Sequence, residues 1–179
     1  KNYLFALLIF FTATALAQTD TRIYDIIQKV SAKNIEADIT TLANFGTRNT
    51  FSDTLSSTRG IGAARRWIKA EFQQISSNCT NCLEVFYQKD LVKATTSKRV
   101  PKDTWVVNVV AIQKSKTGSN RYIIISGDID SRNSDGSDFI KDAPGANDNA
   151  SGMAGAIEAA RVLSSYEFDA NIVYLGLSG

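Results

Sequence analysis

Three aspartates, Asp128, Asp130 and Asp148, combine the residue type and the surroundings of metal ligands. Asp128 and Asp130 come directly after the apolar run 121–126, and Asp148 lies in a loop that leads into an apolar helical pattern. Carboxylate oxygens bind divalent cations in many protein sites. Asp148 is therefore the best metal-ligand candidate, and the two acids that leave the strand are its candidate neighbours.

The loop around Asp148 reads Ala-Pro-Gly-Ala-Asn-Asp-Asn-Ala-Ser-Gly and has the composition of a rigid turn. Pro144 restricts its own φ angle, and Gly145 permits conformations that other residues avoid. Asn149 or Ser151 is expected to cap the following helix. Such a cluster is also typical of an ordinary turn, so its interpretation depends on the neighbouring elements.

These elements predict a parallel βαβ unit. The segment 121–126 has the pattern of a buried strand, 152–166 that of a helix with one apolar face, and 170–177 that of a second strand. In open α/β sheets, ligands bind at the edge where the carboxyl ends of parallel strands meet. The acids after the first strand and the loop of Asp148 are therefore expected at one edge.

The rest of the chain supplies further elements of an α/β fold. Apolar spacing predicts three helices, with a polar loop between the second and the third, followed by two strands. A turn at 116–120 predicts a hairpin that leads to the next strand. The helices are 21–32, 35–45 and 58–75, the loop is 45–57, and the strands are 83–92 and 105–112.

The N-terminus has the pattern of a secretory signal. Lys1 precedes an almost wholly apolar run, 3–16, and Ala15-Leu16-Ala17 has the small residues of a cleavage site. We predict cleavage after Ala17 and a secreted or periplasmic protein. A membrane span takes about 20 apolar residues, so no stable span is expected after cleavage.

The charge balance of the chain does not indicate a strongly charged binding partner. The chain has 20 basic and 18 acidic residues and no histidine. Residues 1–17 hold one lysine and no acid, which leaves 19 basic against 18 acidic residues and a net charge of +1. Nucleic-acid binding requires a clustered basic surface, whereas Arg65, Arg66 and Lys69 are interpreted as the solvent-exposed face of a helix. No nucleic-acid partner is expected.

The two cysteines, Cys79 and Cys82, are three positions apart. In an oxidising compartment such a pair most often forms a local disulfide. A thioredoxin-like site would begin a helix after a strand, and a zinc site would need a second pair of ligands. We predict a disulfide, with redox and zinc roles as the alternatives.

The chain divides into a signal segment, 1–17, and a domain portion, 18–179. In the domain portion a helical lead-in, 18–77, precedes a sheet portion, 82–179. The chain stops after an apolar strand without a closing helix, whereas α/β sheets are normally covered by helices on both faces. We therefore expect the front part of a longer protein.

Three blocks of sequence resemble the secreted zinc aminopeptidases of peptidase family M28. They are Asn-Val-Val-Ala at 108–111, the strand and acids at 122–131, and Asp-Ala-Pro-Gly-Ala-Asn-Asp-Asn-Ala-Ser-Gly at 142–152. Upstream, 45–48 and 58–64 are similar to the region before that catalytic domain. The resemblance implies a three-layer αβα, zinc-exopeptidase-like fold with a mostly parallel mixed sheet, incomplete here at the C-terminus.

The same resemblance implies a centre of two zinc ions that hydrolyses the N-terminal peptide bonds of peptides or proteins. Asp148 matches the carboxylate that bridges the two ions, residue 128 a zinc ligand, and Asp130 an acid that orients that ligand. The other ligands and the glutamate that serves as general base are expected after Gly179. The fragment alone is therefore expected to be inactive.

Asp128 stands where most members of the family have histidine. A carboxylate can bind Zn²⁺, but its hard oxygen favours Mn²⁺, Mg²⁺ or Ca²⁺ more than imidazole does. Three interpretations stay open: an oxygen ligand in a working site, a degenerate site in a non-catalytic binding domain, and an ordinary loop acid.

Two other chemistries are alternatives. Gly-Leu-Ser-Gly at 176–179 follows a strand and contains four of the five residues of a nucleophile elbow, which would make Ser178 the nucleophile of a serine hydrolase. Oxygen-bearing residues from Ser131 to Asp142, around Gly136, have the spacing of a Ca²⁺ loop. Such a loop normally ends in a bidentate glutamate, which this segment lacks.

Overall fold

The computed structural model describes residues 20–179, so the predicted signal segment, 1–17, lies outside the described residues. Within them, helices and strands form one mixed α/β arrangement. The helices are α1 (Thr21–Gln28), α2 (Ala32–Asn44), α3 (Gly60–Asn78) and α4 (Ser151–Leu163), and the strands are β1 (Leu83–Val92), β2 (Thr104–Gln113), β3 (Tyr122–Asp128) and β4 (Asn171–Leu177). One irregular turn, Ala146–Ala150, precedes α4. None of these helices combines the length and the apolar character that a membrane crossing requires.

The two long helices beside the sheet bury the apolar positions that the sequence pattern predicts. Residues three and four positions apart share one face of a helix, and these faces of α3 and α4 meet in one core. The predicted positions that are fully buried are Ile61, Ala64, Ile68 and Phe72 in α3, and Met153, Ile157 and Ala160 in α4.

The sheet has the order β1-β2-β4-β3. β3 and β4 are parallel and adjacent, with α4 between them in sequence, which confirms the predicted βαβ unit. β2 pairs antiparallel with both β1 and β4, so β3 and β4 are the one parallel pair among the four described strands. The predicted hairpin at 116–120 is wrong, because β4 lies between β2 and β3.

Asn171, at the start of β4, explains why β2 and β3 do not form this hairpin. Its Oδ1 accepts a hydrogen bond from the backbone N–H of Ser115 at 3.0 Å, and its Nδ2 donates to the carbonyls of Ser119 and Arg121 at 2.7 and 3.0 Å. The connection from β2 to β3 therefore passes the start of β4, and the side chain of Asn171 binds it there.

The helices pack on one face of the sheet. Val109 and Tyr174 point into the helical core and are fully buried, whereas Phe86 and Ile124 on the opposite face remain exposed. The α/β class is confirmed. The described residues supply the sheet and one helical layer of the three-layer arrangement that the resemblance implies.

The predicted disulfide between Cys79 and Cys82 is present and confirmed. It closes the tight connection from α3 to β1, in which Thr80 and Asn81 both have positive φ angles.

An ion cluster around Arg161 fixes the position of α4 relative to α2 and α3. The guanidinium lies 2.6 Å from a carboxylate oxygen of Asp38, 2.8 Å from one of Glu71 and 3.2 Å from one of Glu158. Asp38 and Glu158 are buried, and a buried carboxylate is stable only when it is paired and hydrogen-bonded. Because the Asp148 turn leads directly into α4, this cluster also fixes that turn.

Candidate metal centre

Asp128 and Asp148 lie at the carboxyl edge of the parallel strand pair, as predicted. Asp128 is the last residue of β3, and Asp148 lies in the turn that begins α4. The side chain of Asn149 connects the two segments, because its Oδ1 accepts a hydrogen bond from the backbone N–H of Asp128 at 3.0 Å. Both carboxylates are exposed. The peptide bond between Asp148 and Asn149 is cis.

The prediction that Asn149 or Ser151 caps α4 is wrong. The residue at the start of the helix is Ala150, and no side chain caps it. The Oγ of Ser151 donates to the carbonyl of Asn147 at 2.8 Å, while the amide of Asn149 is occupied by Asp128. Asn149 therefore fixes the end of β3 and not the start of the helix.

Asp130 shares the electrostatic environment of the other two carboxylates. Burial raises the pKa of Asp130, the negative charges of Asp128 and Asp148 raise it further, and Arg48 opposes them. Repulsion among neighbouring carboxylates is relieved by a bound cation. The three carboxylates therefore act on one another electrostatically.

Arg48 anchors the loop that carries Asp148, and its burial was not predicted. The segment 45–57 was expected to be a polar loop, yet Arg48 is fully buried. Its Nε donates to the carbonyl of Ile129 at 2.8 Å, Nη1 donates to Leu42 and Pro144 at 2.8 and 2.7 Å, and Nη2 donates to Gly145 at 3.1 Å. The side chain of Arg48 therefore connects α2, the end of β3 and the loop that carries Asp148.

Ser131 adds a second connection between the same segments. Its Oγ accepts a hydrogen bond from the backbone N–H of Arg48 at 3.0 Å and donates to the carbonyl of Ala143 at 2.5 Å. Gly145, next in the loop, has a φ of 48°, a conformation that glycine adopts without steric cost. The hydrogen bonds of Ser131 and Arg48 therefore hold this loop in the way that its predicted rigidity requires.

Gly127 lets the end of β3 lie directly against the first turn of α4. A Cβ at this position would overlap the backbone of Gly152 and Met153, and backbone atoms cannot move aside as a flexible side chain can. We expect Gly127→Ala to destabilise the full-length protein by about 1–3 kcal/mol and to displace Asp128. Thermal denaturation and metal titration would measure the two effects.

The matched control is Gly155→Ala, at an exposed position of α4. A Cβ at Gly155 meets nothing within 4 Å, so this variant should gain up to about 1 kcal/mol of helix propensity. Equal stability losses in the two variants would contradict the close-contact explanation for Gly127.

The serine-hydrolase alternative is wrong. Ser178 is fully buried, its Oγ donates to the carbonyl of Val107 at 2.7 Å, and the same Oγ accepts from Nε of Arg65 at 3.0 Å. A nucleophilic serine must be exposed, whereas the hydroxyl of Ser178 is buried and already bonded to Val107 and Arg65. Ser178 is a structural residue.

The segment from Ser131 to Asp142 does not form a calcium loop. Ser131 is buried against Ala143, and Oδ1 of Asp142 accepts from the guanidinium of Arg59 at 2.6 Å. Oδ1 of Asp135 accepts hydrogen bonds within its own turn. The oxygens are therefore bound separately and do not converge on one point.

The donor chemistry of Asp128 and Asp148 fits part of a divalent metal site. Within residues 20–179, histidine, cysteine, aspartate and glutamate side chains nowhere form a group of three or more that could hold an ion. A zinc site usually takes four ligands. Asp128 and Asp148 would supply two carboxylates to such a site, and hydrogen bonds of Asn149 and Arg48 hold the segments that carry them.

Comparison with known proteins agrees with this geometry. Residues 108–179 match the model of peptidase family M28. The chain is 37% identical over 160 residues to a probable zinc metalloprotease of Pyrenophora teres f. teres and 39% identical to one of Leptosphaeria maculans. These matches cover 89% of the chain and 34% and 37% of the relatives, so the chain spans about a third of their length.

Solved structures share the fold. The LapA aminopeptidase of Legionella pneumophila has a TM-score of 0.65 at 19% identity, over 90% of this chain and 38% of that one. The glutaminyl cyclase of Fimbriiglobus ruber has a TM-score of 0.64 at 16% identity, over 84% of this chain and 46% of that one. The family model and the sequence relatives agree with the loop motif, and residues 108–179 of this chain are similar to peptidase family M28.

Proposed function

We propose that this chain is the N-terminal part of a secreted, zinc-dependent aminopeptidase that hydrolyses N-terminal peptide bonds. The observation that carries the proposal is the meeting of Asp128 and Asp148 at one sheet edge, in a chain related to probable zinc metalloproteases. The predicted signal segment, with cleavage after Ala17, supports secretion. Peptides or proteins are the proposed substrates.

Asp148 is the proposed bridging ligand of a two-zinc centre, and Asp128 is the proposed ligand to one of the ions. Asp130 is the proposed acid that orients Asp128. Zinc bound there would supply Lewis acidity, which polarises a substrate carbonyl and acidifies a water molecule. The protein's part is to hold the carboxylates still. Arg48 does so through the carbonyls of Pro144 and Gly145.

The proposed general base is a glutamate immediately after Gly179. Leu177 of β4 lies opposite Asp128 of β3 in the parallel register, so a residue just beyond β4 lies beside the proposed metal ligands. A carboxylate there can take a proton from water and return it to the leaving amine. The fragment of 179 residues is accordingly proposed to be inactive.

The test uses the full-length protein. We expect about two equivalents of metal per chain by mass spectrometry, hydrolysis of amino-acid anilides, loss of both after chelation, and recovery on adding Zn²⁺ or Mn²⁺. Hydrolysis that survives complete metal removal would overturn the proposal. A comparison of Zn²⁺, Mn²⁺, Mg²⁺ and Ca²⁺ in the recovery step shows which metal the carboxylate of Asp128 prefers.

A non-catalytic binding domain is the second candidate, and Asp128 is the observation that favours it. Most members of the family have histidine at this position. Replacement of a histidine ligand by aspartate can accompany loss of activity. In that case the full-length protein would bind less than one equivalent of metal and hydrolyse no anilide, although it would be folded.

A further inference from the structure

A basic cavity of about 640 Å³ has a lining that includes none of the proposed metal ligands. It is bounded by α3, by β1 and β2, and by the loop before α3. Its lining includes Arg65, Lys89 and Lys102, together with the aromatic rings of Tyr87 and Trp105. Neither the proposed metal ligands nor the three sequence blocks of the family resemblance account for these side chains.

Arg65 is the central feature of the basic cavity. It was predicted to lie on the solvent-exposed face of α3, but only 5% of its surface is exposed. Its Nε donates to Oγ of Ser178 at 3.0 Å, while its buried Nη2 has no hydrogen-bond partner among the described residues. Burial lowers the pKa of Arg65 to about 10, so the side chain is still charged at neutral pH.

A buried donor without an acceptor is unfavourable, and so is a buried cation that no anion contacts. The charge of Asp130 acts on Arg65, but no carboxylate forms an ion pair or hydrogen bond with its guanidinium within the described residues. Arg65 is thus a site that an anion can complete. A carboxylate has two oxygens that match the planar fork of a guanidinium. The arginine therefore indicates a carboxylate as the ligand of the cavity.

The other charges of the basic cavity also favour an anion. Lys89 and Lys102 are exposed and form no ion pair within the described residues. The one acid of the lining, Asp103, is already paired with Lys93 at 2.7 Å. The lining of the cavity consequently has a net positive charge.

The register of the sheet indicates that a short peptide can span the distance from Asp128 to the basic cavity. Val107 of β2 lines the cavity and accepts a hydrogen bond from Ser178, just beyond β4. β4 lies between β2 and β3, so the wall at Val107 is two strand spacings, about 10 Å, from Asp128. An extended peptide advances roughly 3.4 Å per residue and covers this distance with its third residue.

We propose that the basic cavity binds a carboxylate carried by the third residue of the peptide substrate, through Arg65 with Lys89 and Lys102. The carboxylate is either the C-terminus of a tripeptide or an acidic side chain. Tyr87 and Trp105 provide apolar surface for the rest of that residue. This inference rests on the proposed aminopeptidase function and specifies its substrate class.

The test measures kcat/KM of the full-length enzyme on three peptides: Leu-Ala-Ala as the free acid, Leu-Ala-Ala amide, and Leu-Ala-Glu amide. We expect about a tenfold preference for at least one carboxylate-bearing peptide over Leu-Ala-Ala amide, the size expected for one hydrogen bond between charged groups. A preference for the free acid identifies the C-terminus as the source, and a preference for Leu-Ala-Glu amide identifies the side chain.

Three variants decide whether the basic cavity causes the preference. Arg65→Met removes the buried charge and keeps the length of the side chain, and the double variant Lys89→Ala, Lys102→Ala changes only exposed residues and avoids any risk to folding. Both should bring the preference close to one. Lys114→Ala, a lysine at the opposite end of the sheet, should leave it unchanged. An equal preference in all four proteins, or none in the wild type, overturns the proposal.

Failure of the proposed function gives a different result. If no peptide is hydrolysed, calorimetry measures binding of the same three peptides to the full-length protein. Carboxylate-dependent binding that Arg65→Met abolishes would support the basic cavity without aminopeptidase activity, and equal affinity for Leu-Ala-Ala amide and the two carboxylate-bearing peptides would overturn the cavity as well.

Discussion

Asp148→Ala in the full-length protein is expected to abolish metal binding and peptide hydrolysis together. Asp148 is the proposed ligand of both ions, so its loss removes a contact that no neighbouring side chain replaces. Changes to groups that only support metal ligands cost about 10–100-fold in affinity or activity. A bridging ligand should therefore cost more than about 100-fold in kcat/KM, with bound metal falling in parallel.

Asp142→Ala is the matched control for this variant. Asp142 is an exposed acid six positions earlier, and its carboxylate accepts a hydrogen bond from Arg59 and not from any proposed metal-site residue. Such exposed ion pairs contribute little to stability, about 0–1 kcal/mol. Both metal content and kcat/KM should stay close to those of the wild type. Full activity in Asp148→Ala would overturn the assignment of the bridging ligand.

The helices and strands were largely predictable because local patterns determine them. The strand at Leu83–Val92 coincides with its predicted bounds, and the apolar stripe of α3 is buried as expected. The neighbours of each strand were not predictable in the same way. A hairpin turn and an arched connection have similar composition, and it is β4, whose first residue Asn171 is 50 residues from Arg121 in sequence, that lies between β2 and β3.

The site was predictable where the backbone dictates it. Asp128 follows a strand and Asp148 precedes a helix, so the βαβ topology alone places both at one edge. Arg48 and Arg65 were not predictable, because an arginine in a polar loop or on a helix normally faces water. Their burial depends on carbonyls and a serine that are distant in sequence, such as Gly145 and Ser178, and a single sequence carries no signal of those contacts.

Arg48→Met is expected to weaken both the fold and the metal site. Burial lowers the pKa of Arg48 to about 10, so the four hydrogen bonds to carbonyls compensate the desolvation of its charge. Methionine fills a similar volume but donates nothing, and each buried acceptor left unsatisfied costs about 1–3 kcal/mol. Removal of the desolvated charge offsets part of this loss, so we expect a net destabilisation of about 3 kcal/mol.

The same variant should lower metal affinity, because the carbonyls of Pro144 and Gly145 would lose the group that holds the Asp148 loop. Thermal denaturation and competition with a chelator would measure stability and affinity in one preparation. Arg66→Met is the control, since Arg66 also donates to three carbonyls, those of Thr54, Leu55 and Ser56, but on the exposed surface.

Arg48→Lys separates charge from geometry. An ammonium group is compact and has three donors, so it cannot reach carbonyls as far apart as those of Leu42, Ile129 and Gly145 at once. We expect Arg48→Lys to recover part of the stability but little of the metal affinity. If lysine restored both, the buried charge alone would be sufficient; if Arg48→Met kept wild-type metal affinity, Arg48 would stabilise the fold without positioning Asp148.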